Sequence, residues 1–343
     1  MIQGLINRYK RLRTERFLSQ TYHHQYAFVG MGQHSLSNLY PVIRYLGVPL
    51  KYVCVTSEQK ARLVGQKFPD VKATASLDEV LADDSVRGVF VAATPTAHFA
   101  LASKVLRSGK SLFIEKPPCT TADELEQLIS MQRQQQVPVA MAGVQKRYGP
   151  AVQLLKKALR KERLISYDLH YQTGAYPEGD ALLDLYIHAL DLVAFLFGKA
   201  DVVACREVSP GSYCVMLQHE GVTGTLELST AYSWTAPEES LQVCTQSAVY
   251  RLSQMEELTR QPKQPSVMGI PLEKVMPRGK TVEFLYDRSN FVPTLMNNQV
   301  VSQGFFGEVS AFVEAVEGHP DAVASSLETL RDTYKIMADI RKG

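Results

Sequence analysis

Three observations predict an α/β chain of two domains: a parallel-sheet domain first, then an α+β domain with an open, mainly antiparallel sheet. The 343 residues exceed one ordinary core, at about 100–200 residues per domain. Up to residue 148, short apolar runs alternate with helix-length segments, as a parallel sheet with crossover helices requires. Beyond Pro150 the apolar runs alternate with polar residues and lie close together, which predicts antiparallel pairing. The expected division is residues 1–25, 26–148 and 149–343.

Residues 1–25 read as a helical extension, with Leu5, Ile6, Leu12 and Phe17 packed on the first domain. Arg8, Lys10, Arg11, Arg13 and Arg16 against Glu15 give it a charged side, read as solvated in preference to a contact with an anionic membrane or a partner. Residues 26–29 form a strand that runs into Gly30-Met31-Gly32, and a helix follows to Leu46, where Gly47 stops it. Strands at 50–55, 88–93, 111–114 and 138–143 are separated by helices at 58–67, 98–108 and 121–135, with Gly109 as a helix C-cap.

In the second domain a helix to about residue 160 precedes strands such as 164–173, 202–208, 213–218 and 223–229. Residues 261–280, rich in Pro and basic side chains, predict a long surface loop. Helices at 305–317 and 327–340 close the chain and can pack back on the first domain.

A composition of 45% hydrophobic and 21% charged residues is that of a soluble globular protein. Lys and Arg number 37 against 35 Asp and Glu, so there is no basic field for nucleic acid, and small-molecule partners are favoured. The five cysteines (Cys54, Cys119, Cys205, Cys214, Cys244) form no CxxC pair, which argues against a disulfide framework or a zinc site; no metal is expected. Neither a secretory apolar segment of about 7–15 residues nor a run of about 18 apolar residues is seen, so a cytoplasmic protein without a membrane partner is expected.

Chemistry concentrates in three places. In Gly30-Met31-Gly32-Gln33-His34-Ser35 the first Gly allows the bend and the second lets a pyrophosphate approach the N–H groups of the following helix. Ser35 stands where a third Gly or Ala is usual. The second strand ends in Val55-Thr56-Ser57, without the acid that normally accepts ribose hydroxyls. Thr56, Ser57 and the nearby Lys60 or Arg62 would tolerate a 2′-phosphate, so NADP and NAD both remain open.

The second place is Glu115-Lys116-Pro117, at the carboxyl edge of the predicted parallel sheet, where a lysine can hold a substrate oxygen. The third is the run from Asp184 through His188 to Asp191. Spacings of 4, 3 and 7 place the three side chains on one face of a helix, where Asp184 can orient the His188 imidazole and raise its basicity. A buried structural His–Asp pair is the competing reading.

Taken in order, the GMGQHS turn, Thr94-Pro95-Thr96-Ala97-His98, the segment from Gly109 to Pro117, Gln145-Lys146-Arg147-Tyr148-Gly149-Pro150, and Asp184-His188-Asp191 ahead of Leu196-Phe197-Gly198 resemble the glucose-fructose oxidoreductase and inositol dehydrogenase (Gfo/Idh/MocA) family from about residue 26 to 341. The resemblance implies a Rossmann domain, an open-faced sheet domain that often mediates a homo-oligomer (dimer or tetramer), bound NAD or NADP, and a carbohydrate-like substrate: a sugar, polyol or nucleotide sugar.

It also implies that Lys116 contacts substrate and nicotinamide, that His188 is the acid/base, and that Asp184 assists it. The cofactor set is then Gly30, Gly32, Gln33, His34, Ser35, Thr56, Ser57, Lys60, Thr94, Pro95, His98, Glu115 and Lys116. Arg147, Tyr148, Tyr171, Tyr176 and Asp191 are candidate substrate residues. One member of that family acts only as a regulator without catalysis, and a few are NAD-dependent glycosidases; Lys116, Asp184 and His188 favour an oxidoreductase.

Overall fold

A computed structural model describes residues 2–19, 21–275, 281–289, 291 and 294–342. Helix α1 (Ile2–Leu18) overturns the first expectation. Leu5, Ile6 and Leu12 are exposed rather than packed, and the Phe17 side chain lies outside the described residues. After the helix the chain is tied to the body where the Glu317 carboxylate accepts from the backbone N–H groups of His23 (2.9 Å) and His24 (3.1 Å) and from the Tyr26 hydroxyl (3.1 Å).

The first sheet contains β1 (Gln25–Val29), β2 (Leu50–Cys54), β3 (Lys72–Thr74), β4 (Val86–Val91), β5 (Ser111–Glu115) and β6 (Ala140–Gly143), all parallel, in the order β3-β2-β1-β4-β5-β6. Its connections run through α2 (Tyr40–Leu46), α3 (Glu58–Lys67), α4 (Leu77–Ala82), α5 (Pro95–Arg107) and α6 (Ala122–Gln134). Helices cover both faces, so the strands read as continuous apolar runs, and β5 is buried along its whole length. The strand order reverses between β1 and β4, which opens a crevice at their carboxyl ends.

The second sheet follows α7 (Pro150–Leu159) and has eight strands: β7 (Leu164–Gln172), β8 (Ala200–Ser209), β9 (Ser212–His219), β10 (Val222–Ser229), β11 (Glu238–Thr245), β12 (Ala248–Ser253), β13 (Glu257–Pro262) and β16 (Glu283–Asp287). Helices α8 (Ala181–Asp184) and α9 (Ile187–Phe197) lie between β7 and β8. The order is β16-β13-β12-β11-β7-β10-β9-β8, with only the β7–β10 pair parallel. Burial alternates along β9 and β10, because one face packs on helices while the other is open.

The predicted loop at 261–280 is partly ordered. Gln261 and Pro262 finish β13, and β14 (Ser266–Val267) and β15 (Ile270–Pro271) form a hairpin ahead of α10 (Leu272–Val275); residues 276–280 lie outside the described ones. Met268 and Gly269 both take positive φ at the two-residue turn, the backbone that a tight hairpin demands. Helices α11 (Gln299–Ser302), α12 (Phe305–Val316) and α13 (Arg331–Lys342) close the chain. α12 packs on the parallel sheet: its Phe312 ring meets Phe90 edge-on at 4.8 Å and Phe113 at 5.8 Å. α13 packs beside α9 and β8 of the second domain.

Candidate active site

The crevice at β1 and β4 is a cleft of about 640 Å³, lined by Gly30 to Ser35, Thr56, Lys60, Thr94, His98, Glu115 and Lys116 among others. Gly30 has φ +95°, and a Cβ there would lie 2.2 Å from the Ala92 carbonyl oxygen at the end of β4, so only glycine fits. A Cβ on Gly32 would meet nothing within 4 Å; this glycine faces open space that a ligand can approach. Ser35 is buried, and its hydroxyl donates to the same Ala92 oxygen at 3.4 Å, a bond that accounts for serine in place of the third small residue. The helix expected after the turn passes through a π-helical turn at Ser35–Leu39 before α2, a form frequent at functional sites.

Three members of the predicted cofactor set have other duties. Ser57 caps α3, its hydroxyl accepting from the Lys60 N–H at 3.2 Å, and Pro95 opens α5; neither is among the cleft-lining residues. His98 borders the cleft, but its Nδ1 lies 2.7 Å from the Pro117 carbonyl oxygen and its Nε2 3.0 Å from that of Ala93. Burial pushes its pKa down, so a neutral ring donates to one carbonyl at a time and braces the ends of β4 and β5 rather than reaching a ligand.

At the inner end of the cleft, the Glu115 carboxylate accepts from the Lys116 backbone N–H at 3.1 Å and lies 3.2 Å from His34 Nε2. The Lys116 ammonium donates to the Asp184 carbonyl oxygen at 2.6 Å, joining the two halves of the chain. Burial weakens its hold on its proton, an effect opposed by the Glu115 and Asp184 carboxylates.

The single helix face predicted for Asp184, His188 and Asp191 does not form. Asp180 caps α8 by accepting from Leu182 N–H (3.0 Å) and Leu183 N–H (3.3 Å); α8 ends at Asp184, and α9 starts only at Ile187. The Asp184 carboxylate accepts from the Tyr176 hydroxyl at 3.3 Å instead of orienting His188. His188 is buried, with Nδ1 lacking a hydrogen-bond partner. Burial, then the Lys116, Lys146 and His34 charges, hold its pKa well below the ordinary value, so the raised basicity expected from Asp184 is not present and the ring is neutral at pH 7.

Two predicted substrate residues form a structural pair. The Arg147 guanidinium donates to both Asp191 oxygens (2.7 and 2.6 Å) and to Ala324 and Thr329, and both partners of the pair are almost fully buried, so no donor is left for a ligand. Tyr148 is likewise engaged: its hydroxyl accepts from the Ala324 N–H at 2.8 Å and lies 3.0 Å from Ser325 Oγ. Of the remaining two, Tyr176 bonds the Asp184 carboxylate and Tyr171 lies beside Lys146. Tyr171 packs edge-on to Tyr186, and the Lys146 ammonium sits 5.4 Å from its ring centre.

Three residues escaped the sequence reading. Lys146, buried and ion-paired with Glu239 of β11, lies within a motif already singled out and could have been found there. Glu308 of α12 is fully buried with both carboxyl oxygens unpartnered; burial, then Glu115, raise its pKa well above the carboxylate range. Trp234 stands exposed in the β10–β11 loop, and no spacing pointed to it. A separate hollow of about 750 Å³, lined by Ser37, Asn38, Arg288 and Asn297 among others, contains none of the predicted site residues.

A glycine turn at a switch point, a cleft beneath it and a lysine at its inner end define a dinucleotide-binding protein of the Rossmann class. Residues 24–143 match the oxidoreductase family with an NAD-binding Rossmann fold, Gfo/Idh/MocA. It is similar to UDP-N-acetylglucosamine 3-dehydrogenase of Acidithiobacillus ferrooxidans, 30% identical over 168 residues (47% of this chain, 48% of the relative). Inositol 2-dehydrogenase of Acidothermus cellulolyticus is 26% identical over 174 residues (49% and 50%). The chain spans about half the length of the curated relatives it matches. Among solved structures, a dehydrogenase from Chromobacterium violaceum shares the fold with a TM-score of 0.78 at 19% identity, over 94% of this chain and 95% of that one. Gly30, forced by a close backbone approach, and Gly32, open to the cleft, fit a nicotinamide dinucleotide, NAD or NADP.

Proposed function

We propose that this protein is an NAD(P)-dependent oxidoreductase acting on a hydroxyl or carbonyl carbon of a sugar, polyol or nucleotide sugar. The observation that carries the reading is the meeting of Lys116, from the end of β5, with the segment bearing Asp184 and His188 at the inner end of the cleft. Names borne by similar proteins, a nucleotide-sugar 3-dehydrogenase and an inositol dehydrogenase, support the substrate class.

The turn at Gly30 to Ser35 would hold the pyrophosphate, with Thr56 and Lys60 at the adenosine ribose end. No acid among these two side chains opposes a 2′-phosphate, so we infer that NADP binds no worse than NAD. When bound, the nicotinamide supplies the hydride acceptor or donor. His188, neutral because it is buried among cations, takes the proton of the substrate hydroxyl in oxidation and returns it in reduction. Lys116 stabilises the negative charge that develops on the same oxygen. Asp184 acts as a positioning residue through its carbonyl bond to Lys116.

The test is spectrophotometric. The purified chain is given each dinucleotide with a panel of sugars, polyols and nucleotide sugars, and reduction of the nicotinamide is followed. Turnover with one class supports the reading. Tight dinucleotide binding without turnover on any of them would favour a regulatory protein of the same fold.

A further inference from the structure

Trp234 is the only tryptophan in the chain, and it is 53% exposed beside Tyr232, which is 54% exposed. Burying an indole is among the larger favourable terms open to a fold, so an exposed and fixed one needs an explanation. Its N–H donates to the Ala175 carbonyl oxygen at 2.8 Å, which consumes the polar edge and sets the orientation of the ring. A Cβ on Gly174 would lie 2.3 Å from Trp234 Cδ1; a glycine at 174 is what lets the indole lie against this backbone. A clasp between two loops would account for the N–H bond and the glycine, but not for the ring surface left open to solvent.

The indole is linked to the segment that bears Asp184. Ala175 precedes Tyr176, whose hydroxyl donates to the Asp184 carboxylate, and the Asp184 carbonyl holds the Lys116 ammonium. The segments that frame the indole, residues 173–180 and 229–239, contain Glu178, Asp180, Glu238 and Glu239 and no Lys or Arg. Lys146 and Arg341, from other segments, are already ion-paired with Glu239 and Asp180, so a diphosphate would meet Glu178 and Glu238 and find neither cation free. A neutral ring with an apolar face would lose nothing electrostatically and would bury the exposed indole.

We propose that Trp234 is a stacking platform for a neutral sugar ring one unit beyond the sugar that reacts, so that the substrate is a glycoside or short saccharide rather than a nucleotide sugar. This rests on the carbohydrate oxidoreductase reading and narrows it.

Because Trp234 is the sole tryptophan, its emission reports on its own surroundings without background. The full chain, loaded with oxidised dinucleotide, is titrated with methyl glycosides of glucose, galactose, mannose and N-acetylglucosamine, with cellobiose, and with UDP. A saturable emission change with at least one neutral saccharide, and none with UDP, is expected. No change with any saccharide, or a change with UDP alone, overturns the proposal.

For a saccharide that turns over, Trp234→Ala raises KM about tenfold while kcat stays within about threefold, and Trp234→Phe retains most of the affinity. A fall in kcat at unchanged KM overturns it. Were no hydride transfer seen while the emission change persisted, the oxidoreductase reading would fail and the platform would stand.

Discussion

The two sheets of this molecule carry chemistry in different ways. In the parallel sheet both faces are covered, and the cleft-lining residues lie where strands end: Gly30 after β1, Thr94 after β4, and Glu115 and Lys116 at the end of β5. In the open sheet one face is free, and the second half of the chain meets the cleft's Lys116 at the α8–α9 break, through the Asp184 carbonyl. The parallel domain thus shapes a cofactor cleft with backbone, while the second domain meets its inner end at Lys116. A division of labour follows, and it can be broken experimentally.

The largest effect is expected at His188. If the second domain supplies the proton-transfer group and not the dinucleotide site, His188→Ala lowers kcat by about 10²–10⁴-fold and leaves dinucleotide affinity within about twofold by calorimetry. A comparable loss of dinucleotide affinity would erase the division. His188→Asn, closer in shape, serves as the check on folding.

Asp191 lies three residues further along α9 and predicts the opposite signature. Asp191→Ala strands the Arg147 guanidinium in the core, at a cost of about 3–5 kcal/mol in denaturant-induced unfolding. At temperatures where the variant is folded, its kcat should match that of the parent protein. A selective fall in kcat would return Arg147 and Asp191 to the substrate site.

Within the parallel domain the two glycines separate fold from site. Gly30→Ala meets the Ala92 carbonyl and a strained φ, and should destabilise the protein by about 1–3 kcal/mol. Gly32→Ala meets nothing and should shift stability by about 0.5 kcal/mol or less. Any large loss at Gly32 must therefore appear in dinucleotide affinity. Equal loss of stability in both variants would show that the turn is only structural.

Glu308 sharpens the comparison at the seam, where α12 from the end of the chain packs on the parallel sheet near Glu115. A folded-state pKa above the unfolded value means that the folded protein binds more protons, so stability is fully present below the unfolded carboxyl pKa of about 4.3 and falls as pH rises toward the folded pKa. Glu308→Gln removes this dependence. Its advantage over the parent in unfolding free energy should grow by about 1.4 kcal/mol per pH unit above about pH 5. Parallel pH–stability curves for the two proteins would mean that Glu308 is ionised in the fold.

Local pattern and spacing sufficed for much of this molecule. Apart from β3 and α4, the order of strands and helices through residue 143, the glycine turn, the lysine after β5 and the change to antiparallel pairing beyond Pro150 follow from periodicity and turn chemistry, which act over a few residues. What spacing misjudged was the partner of each polar group. Asp184, His188 and Asp191 have helical spacing, yet the helix breaks at Leu185 and Tyr186. Asp191 turns to Arg147, 44 residues away, and Asp184 bonds Lys116, 68 residues away.

Sequence alone determined the fold class and the place of the cofactor cleft, because backbone geometry and apolar period are local properties. Tertiary structure alone decided that His188 is neutral, that Arg147 is a buried brace, that Glu308 is an unpaired acid in the core and that Trp234 is exposed. Those outcomes depend on burial and on charges brought in from distant segments, and electrostatic energies in a low-dielectric interior are set by distance in space and not along the chain.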